Sequence, residues 1–302
     1  MIEAMFYKRT DKGSVHCFLC PHNCSISPDK FGICKVRKNE GGILYSKNYA
    51  HISSWGMDPI EKKPLFHFYP GRWIFSVGSV GCNFRCKFCQ NWQIAQLTDI
   101  PTKIVSPGEL VKVAKEQEGN LGIAYTYNEP TIGYEYILEC ARLAKKEGLK
   151  NVVITNGFIE KEPLEEIIPY IDAMNIDVKA FQEDFYKKMT SGCLAAVKQT
   201  VEKAQKHCHV EVTTLIIPGL NDSMEEIKAL ARWISKMRRD IPLHLTRYFP
   251  NFELDIAATP VETVKRAQDI AEEYLDYVYV GNIVEEGGNK TYCPSCGNII
   301  IR

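Results

Sequence analysis

From about residue 73 onward, short β-rich runs alternate with longer amphipathic stretches, and this alternation constrains the fold more than any other feature of the chain. Strands separated by helical stretches do not pair as hairpins, so they predict βα units and a parallel sheet. The candidate strands are 73–77, 121–125, 151–155, 173–177, 209–216, 242–246 and 277–280. Helix starts between them carry capping chemistry. Ser106-Pro107-Gly108-Glu109 and Thr259-Pro260-Val261-Glu262 each combine an N-cap hydroxyl, a first-turn proline and a capping glutamate, and Ser223 with Glu226 repeats the box without the proline. Over 223–237, Ile227, Leu230, Ala231 and Ile234 recur at three- and four-residue steps, which predicts a face turned toward the sheet. Gly148 supplies a stop after a helix over 134–147. Such a chain either closes into a barrel or stays an open doubly wound sheet, and both arrangements put function at the C-terminal ends of the strands.

Residues 1–70 read differently. They are rich in Cys, Gly, Pro, Asn and Ser without a helical period, and they predict a separate, loop-rich, metal-binding extension. The α/β unit is expected over 71–286, with a tail carrying a Cys knuckle over 287–302. The composition, 45% hydrophobic and 25% charged, is that of a folded globular protein. Lys plus Arg (37) cancels Asp plus Glu (37), so no global field draws the chain to nucleic acid or to an anionic membrane. No apolar run approaches the ~18 residues of a membrane span, and the first residues lack the apolar core of a signal peptide, which predicts a cytoplasmic protein. The charge pairs Lys62-Lys63, Lys145-Lys146, Lys187-Lys188 and Arg238-Arg239 read as solvated surface.

The 12 cysteines are too sparse for a small disulfide scaffold, and nine of them fall in metal-type spacings. Cys140, Cys193 and Cys208 stand alone and read as small buried hydrophobes. Cys82, Cys86 and Cys89 follow the first predicted strand as C-x3-C-x2-C. Three thiolates so spaced hold three irons of a cubane and leave the fourth open to an external ligand, whereas a structural zinc site wants four closed ligands and no fourth Cys or His is near.

With Phe88 just before the last cysteine, this motif resembles the signature of the radical S-adenosylmethionine (radical SAM) superfamily. Thr126-Tyr127-Asn128-Glu129-Pro130 stands where that family has Gly-Gly-Glu-Pro, with both glycines replaced. Thr155-Asn156-Gly157, Asp177-Val178-Lys179 and Ile217-Pro218-Gly219-Leu220-Asn221-Asp222 are similar to the pyruvate formate-lyase activating enzyme branch. The terminal Cys17-Phe18-Leu19-Cys20-Pro21-His22-Asn23-Cys24 and Cys293-Pro294-Ser295-Cys296-Gly297 resemble the radical SAM enzyme of the AmmeMemoRadiSam group. The resemblance implies an α/β fold, a partial (β/α)6-type barrel, holding a [4Fe-4S] cluster and S-adenosylmethionine. It also implies reductive cleavage of that cofactor to a 5'-deoxyadenosyl radical, an electron donor of flavodoxin or ferredoxin type, and a substrate that is a small molecule or a partner protein. Glu129 suits the ammonium of the cofactor and Lys179 its carboxylate, while Asp177 orients the ribose or Lys179, and Phe88 lies near adenine. Asn128 and Asn156 belong to the same expected cofactor site, and Tyr127, Asn156 and Arg247 are candidates to meet substrate. The plainer alternatives are a helix cap for Glu129, a strand-end ion pair for Asp177 and Lys179, and an electron-relay protein for the whole. Activating enzymes carry a His after the sixth strand; here the residues are Thr246-Arg247-Tyr248-Phe249-Pro250, and that role is not carried over.

Cys17, Cys20, Cys24 and Cys34 form C-x2-C-x3-C-x9-C, sufficient for a closed tetrathiolate site. Cys17 and Cys20 can instead pair with Cys293 and Cys296 as a ribbon tying the chain ends together. Either set suits zinc or a second iron–sulfur cluster, and the remaining alternatives are a disulfide or no metal.

Overall fold

The computed structural model describes residues 1–97, 99–283 and 290–301, so the expected start of the tail at Gly287 lies outside the described residues. One sheet of eight strands dominates: β1 (Ser54–Pro59), β2 (Trp73–Gly78), β3 (Asn120–Tyr125), β4 (Lys150–Thr155), β5 (Ala173–Asp177), β6 (His209–Ile216), β7 (Leu243–Arg247) and β8 (Val278–Gly281). They lie side by side in chain order. β2 to β8 are all parallel, and β1 runs antiparallel along the edge of β2. Among the described residues the edge strands β1 and β8 do not pair, which leaves the barrel open. The crossovers carry α1 (Pro107–Glu116), α2 (Tyr134–Lys146), α3 (Lys161–Ile167), α4 (Leu194–Ala204), α5 (Met224–Met237) and α6 (Val261–Glu272), giving six β/α units closed by a seventh parallel strand.

Alternation along the strands separates two cores. In β5, Met174 and Ile176 join the large core beneath the helices, while Ala173 joins a smaller one with Ile74, Ala124 and Val152. That inner core is completed by Ile60, Leu65 and Phe68, so the segment between β1 and β2 fills the barrel. Its backbone is tied in place: Asn175 donates to the Pro64 carbonyl (2.8 Å), and the N–H groups of Phe66 and His67 donate to the Glu211 carboxylate (3.0 and 2.8 Å). In α5, Ile227, Leu230, Ala231 and Ile234 are all buried, as their spacing predicts.

Local signals fared unevenly. The Ser106 and Ser223 hydroxyls accept from the N–H groups of Glu109 and Glu226, as capping boxes require. The Thr259 hydroxyl does not cap α6. It donates to the Ile216 carbonyl (2.6 Å) and accepts from the Tyr248 N–H (3.2 Å), because the approach of β6 and the 248 loop offers buried partners. The N-terminal extension is more regular than expected. Two three-stranded antiparallel sheets, Ile2–Glu3 with Ile43–Ser46 and Arg37–Glu40, and Tyr7–Arg9 with Val15–Cys17 and Ser25–Ile26, send Val15, Leu19, Ile26 and Leu44 into the main core. β1, expected within that extension, belongs to the barrel sheet. No helix of the described residues is long and apolar enough to cross a membrane.

Candidate functional site

The loop that leaves β2 bends at Gly81, whose φ of +88° excludes most side chains; a Cβ there would also stand 2.6 Å from Val36 Cγ1 and 2.8 Å from the Cys34 carbonyl. The bend brings Cys82, Cys86 and Cys89 to one wall of a cavity of about 430 Å³ at the C-terminal ends of the strands. Cys82 Sγ accepts from the Phe84 N–H (3.3 Å) and lies 3.9 Å from Asn156 Nδ2. Burial pushes all three thiols up, Cys86 to about 12 even with Lys179 nearby, so a thiolate here is costly until a cation or metal offsets it.

Lining the same cavity, Lys179 Nζ meets Asp177 Oδ2 at 2.8 Å. Burial lowers the Lys179 ammonium, but Asp177 and the thiols of Cys86 and Cys89 outweigh it and hold Lys179 above its ordinary range. Glu129 is 3% exposed. Its Oε1 accepts from Thr131 N (3.0 Å), Thr131 Oγ1 (2.7 Å) and Thr155 Oγ1 (2.8 Å), while Oε2 accepts from Asn156 N (2.8 Å). The capping alternative is therefore realised on Oε1, at the start of the short helix Pro130–Gly133; Oε2 keeps acceptor capacity, and Glu129 lines the cavity. Asn128 staples two loops, accepting from Ser79 N (3.0 Å) and donating to the Gly81 carbonyl (3.0 Å). Asn156 accepts from Phe158 N (2.9 Å) and donates to Asn83 Oδ1 (2.8 Å). Phe88 is buried against Phe185 and also lines the cavity.

Residues 76–234, which carry the triplet, Glu129, Asp177 and Lys179, match the Radical SAM superfamily. The chain belongs to the radical SAM superfamily. An uncharacterized protein of Methanocaldococcus jannaschii is 44% identical to it over 307 residues, covering 100% of this chain and 91% of its own. The pyruvate formate-lyase-activating enzyme of Clostridium pasteurianum is 25% identical over 209 residues, covering 65% of this chain and 87% of its own. In fold, the crystal structure of a radical SAM methyltransferase from Sphaerobacter thermophilus superposes with a TM-score of 0.53 at 18% identity, covering 70% of this chain and 67% of that one. Membership makes the chain an enzyme of a family that uses a [4Fe-4S] cluster and S-adenosylmethionine.

The floor of this radical SAM cavity escaped the sequence reading. Lys62 and Lys63 do not share one solvated face: the Lys62 side chain is 69% exposed, the Lys63 side chain 4%. Lys63 Nζ meets Asp58 Oδ2 (2.8 Å) and lies 4.7 Å from the centre of the Tyr127 ring, and Tyr127 donates to the same Asp58 oxygen (2.8 Å). Tyr127 holds a left-handed backbone, φ +71°, to do so. A lysine pair normally reads as surface; only the insertion of the 60–68 segment buries one member. Of the other substrate candidates, Asn156 lines the cavity, whereas Arg247 turns away to the Thr259 carbonyl (2.6 Å) and the Phe249 ring.

The outer cysteines divide into two places. Cys17, Cys20, Cys24 and Cys34 surround one small pocket against the cluster loop. Cys293 and Cys296 sit in a hairpin of Thr291–Tyr292 and Ile299–Ile301, docked by Tyr279 OH on Thr291 Oγ1 (2.6 Å). Cys293 and Cys296 do not line that pocket, and among the described residues neither set, the four N-terminal cysteines nor Cys17 and Cys20 with Cys293 and Cys296, forms a group that holds a metal as it stands. Cys140 is fully buried as expected, while Cys193 and Cys208 are half-buried.

Proposed function

We infer that Cys82, Cys86 and Cys89 ligate a [4Fe-4S] cluster, and that S-adenosylmethionine completes the site within the cavity. The observation that carries this reading is the meeting, around one cavity of about 430 Å³, of three adjacent thiols with the Asp177–Lys179 pair and a Glu129 oxygen that still has acceptor capacity. The donor set fits the cluster: soft thiols on one wall, without a fourth cysteine among the residues lining that cavity. Held by these residues, the cluster and S-adenosylmethionine would supply one-electron cleavage of a sulfonium C–S bond, the source of a 5'-deoxyadenosyl radical for hydrogen abstraction from, or addition to, the substrate. The protein's own residues orient and exclude. Lys179 offers a cation to the cofactor carboxylate while Asp177 fixes its position; Glu129 Oε2 accepts from the ammonium; Phe88 provides an apolar surface for adenine. The Asn83–Asn156 bond (2.8 Å) holds the cluster loop against the loop that follows β4. The electron donor is of flavodoxin or ferredoxin type.

A second reading, in which the substrate is a glycine of a partner protein, draws on the likeness to a pyruvate formate-lyase-activating enzyme. Anaerobic reconstitution followed by dithionite tests the primary claim. Deoxyadenosine is expected from S-adenosylmethionine; none formed by material with an intact cluster overturns it.

A further inference from the structure

We propose that Cys17, Cys20, Cys24 and Cys34 bind a single zinc ion in a closed tetrathiolate site, and that this site braces the loop carrying the central cysteines. The four thiols line one small pocket, the all-sulfur donor set of a closed structural zinc site. The central triplet, by contrast, opens on about 430 Å³. Arg37, 1% exposed, lines the same pocket, with Nη1 3.9 Å from Cys17 Sγ and Nε without any partner. A buried guanidinium with an unsatisfied N–H beside four thiols suits a site that turns anionic when the thiols deprotonate onto a divalent metal. Glu135 pairs with Arg37 through Nη2 and holds it in place. Among the described residues no three His, Cys, Asp or Glu side chains form a group that holds a metal as they stand, so binding requires the four thiols to close in as they release their protons.

The brace follows from what the ligand-bearing loops touch. His22, between the second and third cysteines, bonds through Nε2 to the Asn83 carbonyl (2.7 Å), directly after Cys82. Arg85, directly before Cys86, reaches the Ile33 carbonyl beside Cys34. Lys35 donates to the Gln96 carbonyl (3.0 Å). Gly81 leaves no gap against Cys34 and Val36. Each of these contacts fixes a cluster-loop residue, or Gln96, which itself donates to the Phe84 carbonyl (3.1 Å), to a segment that the zinc would hold rigid.

The zinc claim stands apart from the proposed radical chemistry, and its test keeps them apart. Metal analysis of the anaerobically purified full chain is expected to find about one zinc per chain, with X-ray absorption showing only sulfur ligands at about 2.3 Å. The Cys82→Ala/Cys86→Ala/Cys89→Ala variant is expected to lose its iron and keep that zinc, while Cys24→Ala/Cys34→Ala loses the zinc and Cys193→Ala/Cys208→Ala does not. Should the Cys24/Cys34 variant fail to fold, chelation of zinc from the wild-type chain replaces it. Hydrogen exchange over residues 79–91 is then expected to accelerate at least about tenfold, since stabilised opening is what exchange reports. Absence of zinc from the wild-type chain, about four irons retained by the triple variant, a disulfide among the four, or unchanged exchange after zinc removal overturns the proposal.

Discussion

At the N-terminal end of the barrel the Glu211 carboxylate, fully buried, receives four hydrogen bonds: from the N–H groups of Phe66 and His67 and from Nε2 of His209 (2.9 Å) and His244 (2.6 Å). At the C-terminal end the Cys86 thiol, also buried, is pushed up to about 12 by burial, and Glu129, with as many donors as Glu211, gathers three of them on Oε1 and leaves Oε2 with one. The lower end shares its donors evenly over both carboxylate oxygens and is saturated, while the upper end leaves one carboxylate oxygen and the thiols with unspent bonding capacity. The difference separates groups that specify the fold from groups that await a ligand, because a buried polar group left short of partners costs stability until something binds it.

The largest expected effect breaks the upper end alone. Cys86→Ala should abolish cluster assembly and deoxyadenosine formation while the unfolding midpoint of the metal-free chain stays within about 2 °C of wild type, since a thiol to methyl change in that wall removes little packing. Iron content, visible absorption and a melting curve check it. A metal-free chain that falls apart would show that the thiols also serve the fold.

Glu211→Gln addresses the lower end. Burial alone would raise this carboxyl, yet His209 and His244 hold it down to about 2. A depressed carboxylate contributes stability that is present above its unfolded value near 4.3 and is lost as pH falls toward 2. The amide should therefore cost about 3 kcal/mol at neutral pH, and the gap between variant and wild type should close between about pH 4.5 and pH 2. Denaturant titrations across that range decide it, and a gap that persists below pH 2 would assign the effect to packing instead. Affinity for S-adenosylmethionine should not change.

Asp177→Asn is expected to act in the opposite sense. The Asp177 and Lys179 side chains are 27% and 19% exposed, so losing their ion pair should cost the fold under about 1 kcal/mol. Binding of S-adenosylmethionine should weaken about tenfold, the worth of one misplaced charged hydrogen bond. Isothermal titration of anaerobic protein measures the binding and a melting curve the stability; a large melting shift without weaker binding would make the pair a strand-end lock only.

Much of this division could be read in advance. The seven parallel strands fall within two residues of where periodicity puts them, since each is flanked by a helix of contrasting period. The triplet is a local spacing, so no tertiary knowledge was needed to see it. β1 was illegible: Ser54-Trp55-Gly56-Met57-Asp58-Pro59 is a half-buried edge strand without apolar alternation, ending in a proline that an edge tolerates. Glu211 and Lys63 were missed for one shared reason. Each owes its burial to the chain segment between β1 and β2 entering the barrel, and nothing in the segment's own residues announces where it goes.

That segment also poses the finest test, because its Lys63–Asp58–Tyr127 group lies between the two ends. Tyr127→Phe removes one hydrogen bond to Asp58, whose carboxylate keeps Lys63 as its partner. The expected loss is about 1 kcal/mol of stability, roughly 2–4 °C in the melting midpoint. The phenol is raised to about 12 by burial and by Asp58, so it stays protonated and the loss should be flat between pH 6 and pH 9. If affinity for S-adenosylmethionine stays within about twofold of wild type, the floor belongs with the saturated end; a larger drop would move the boundary between scaffold and site down to Asp58.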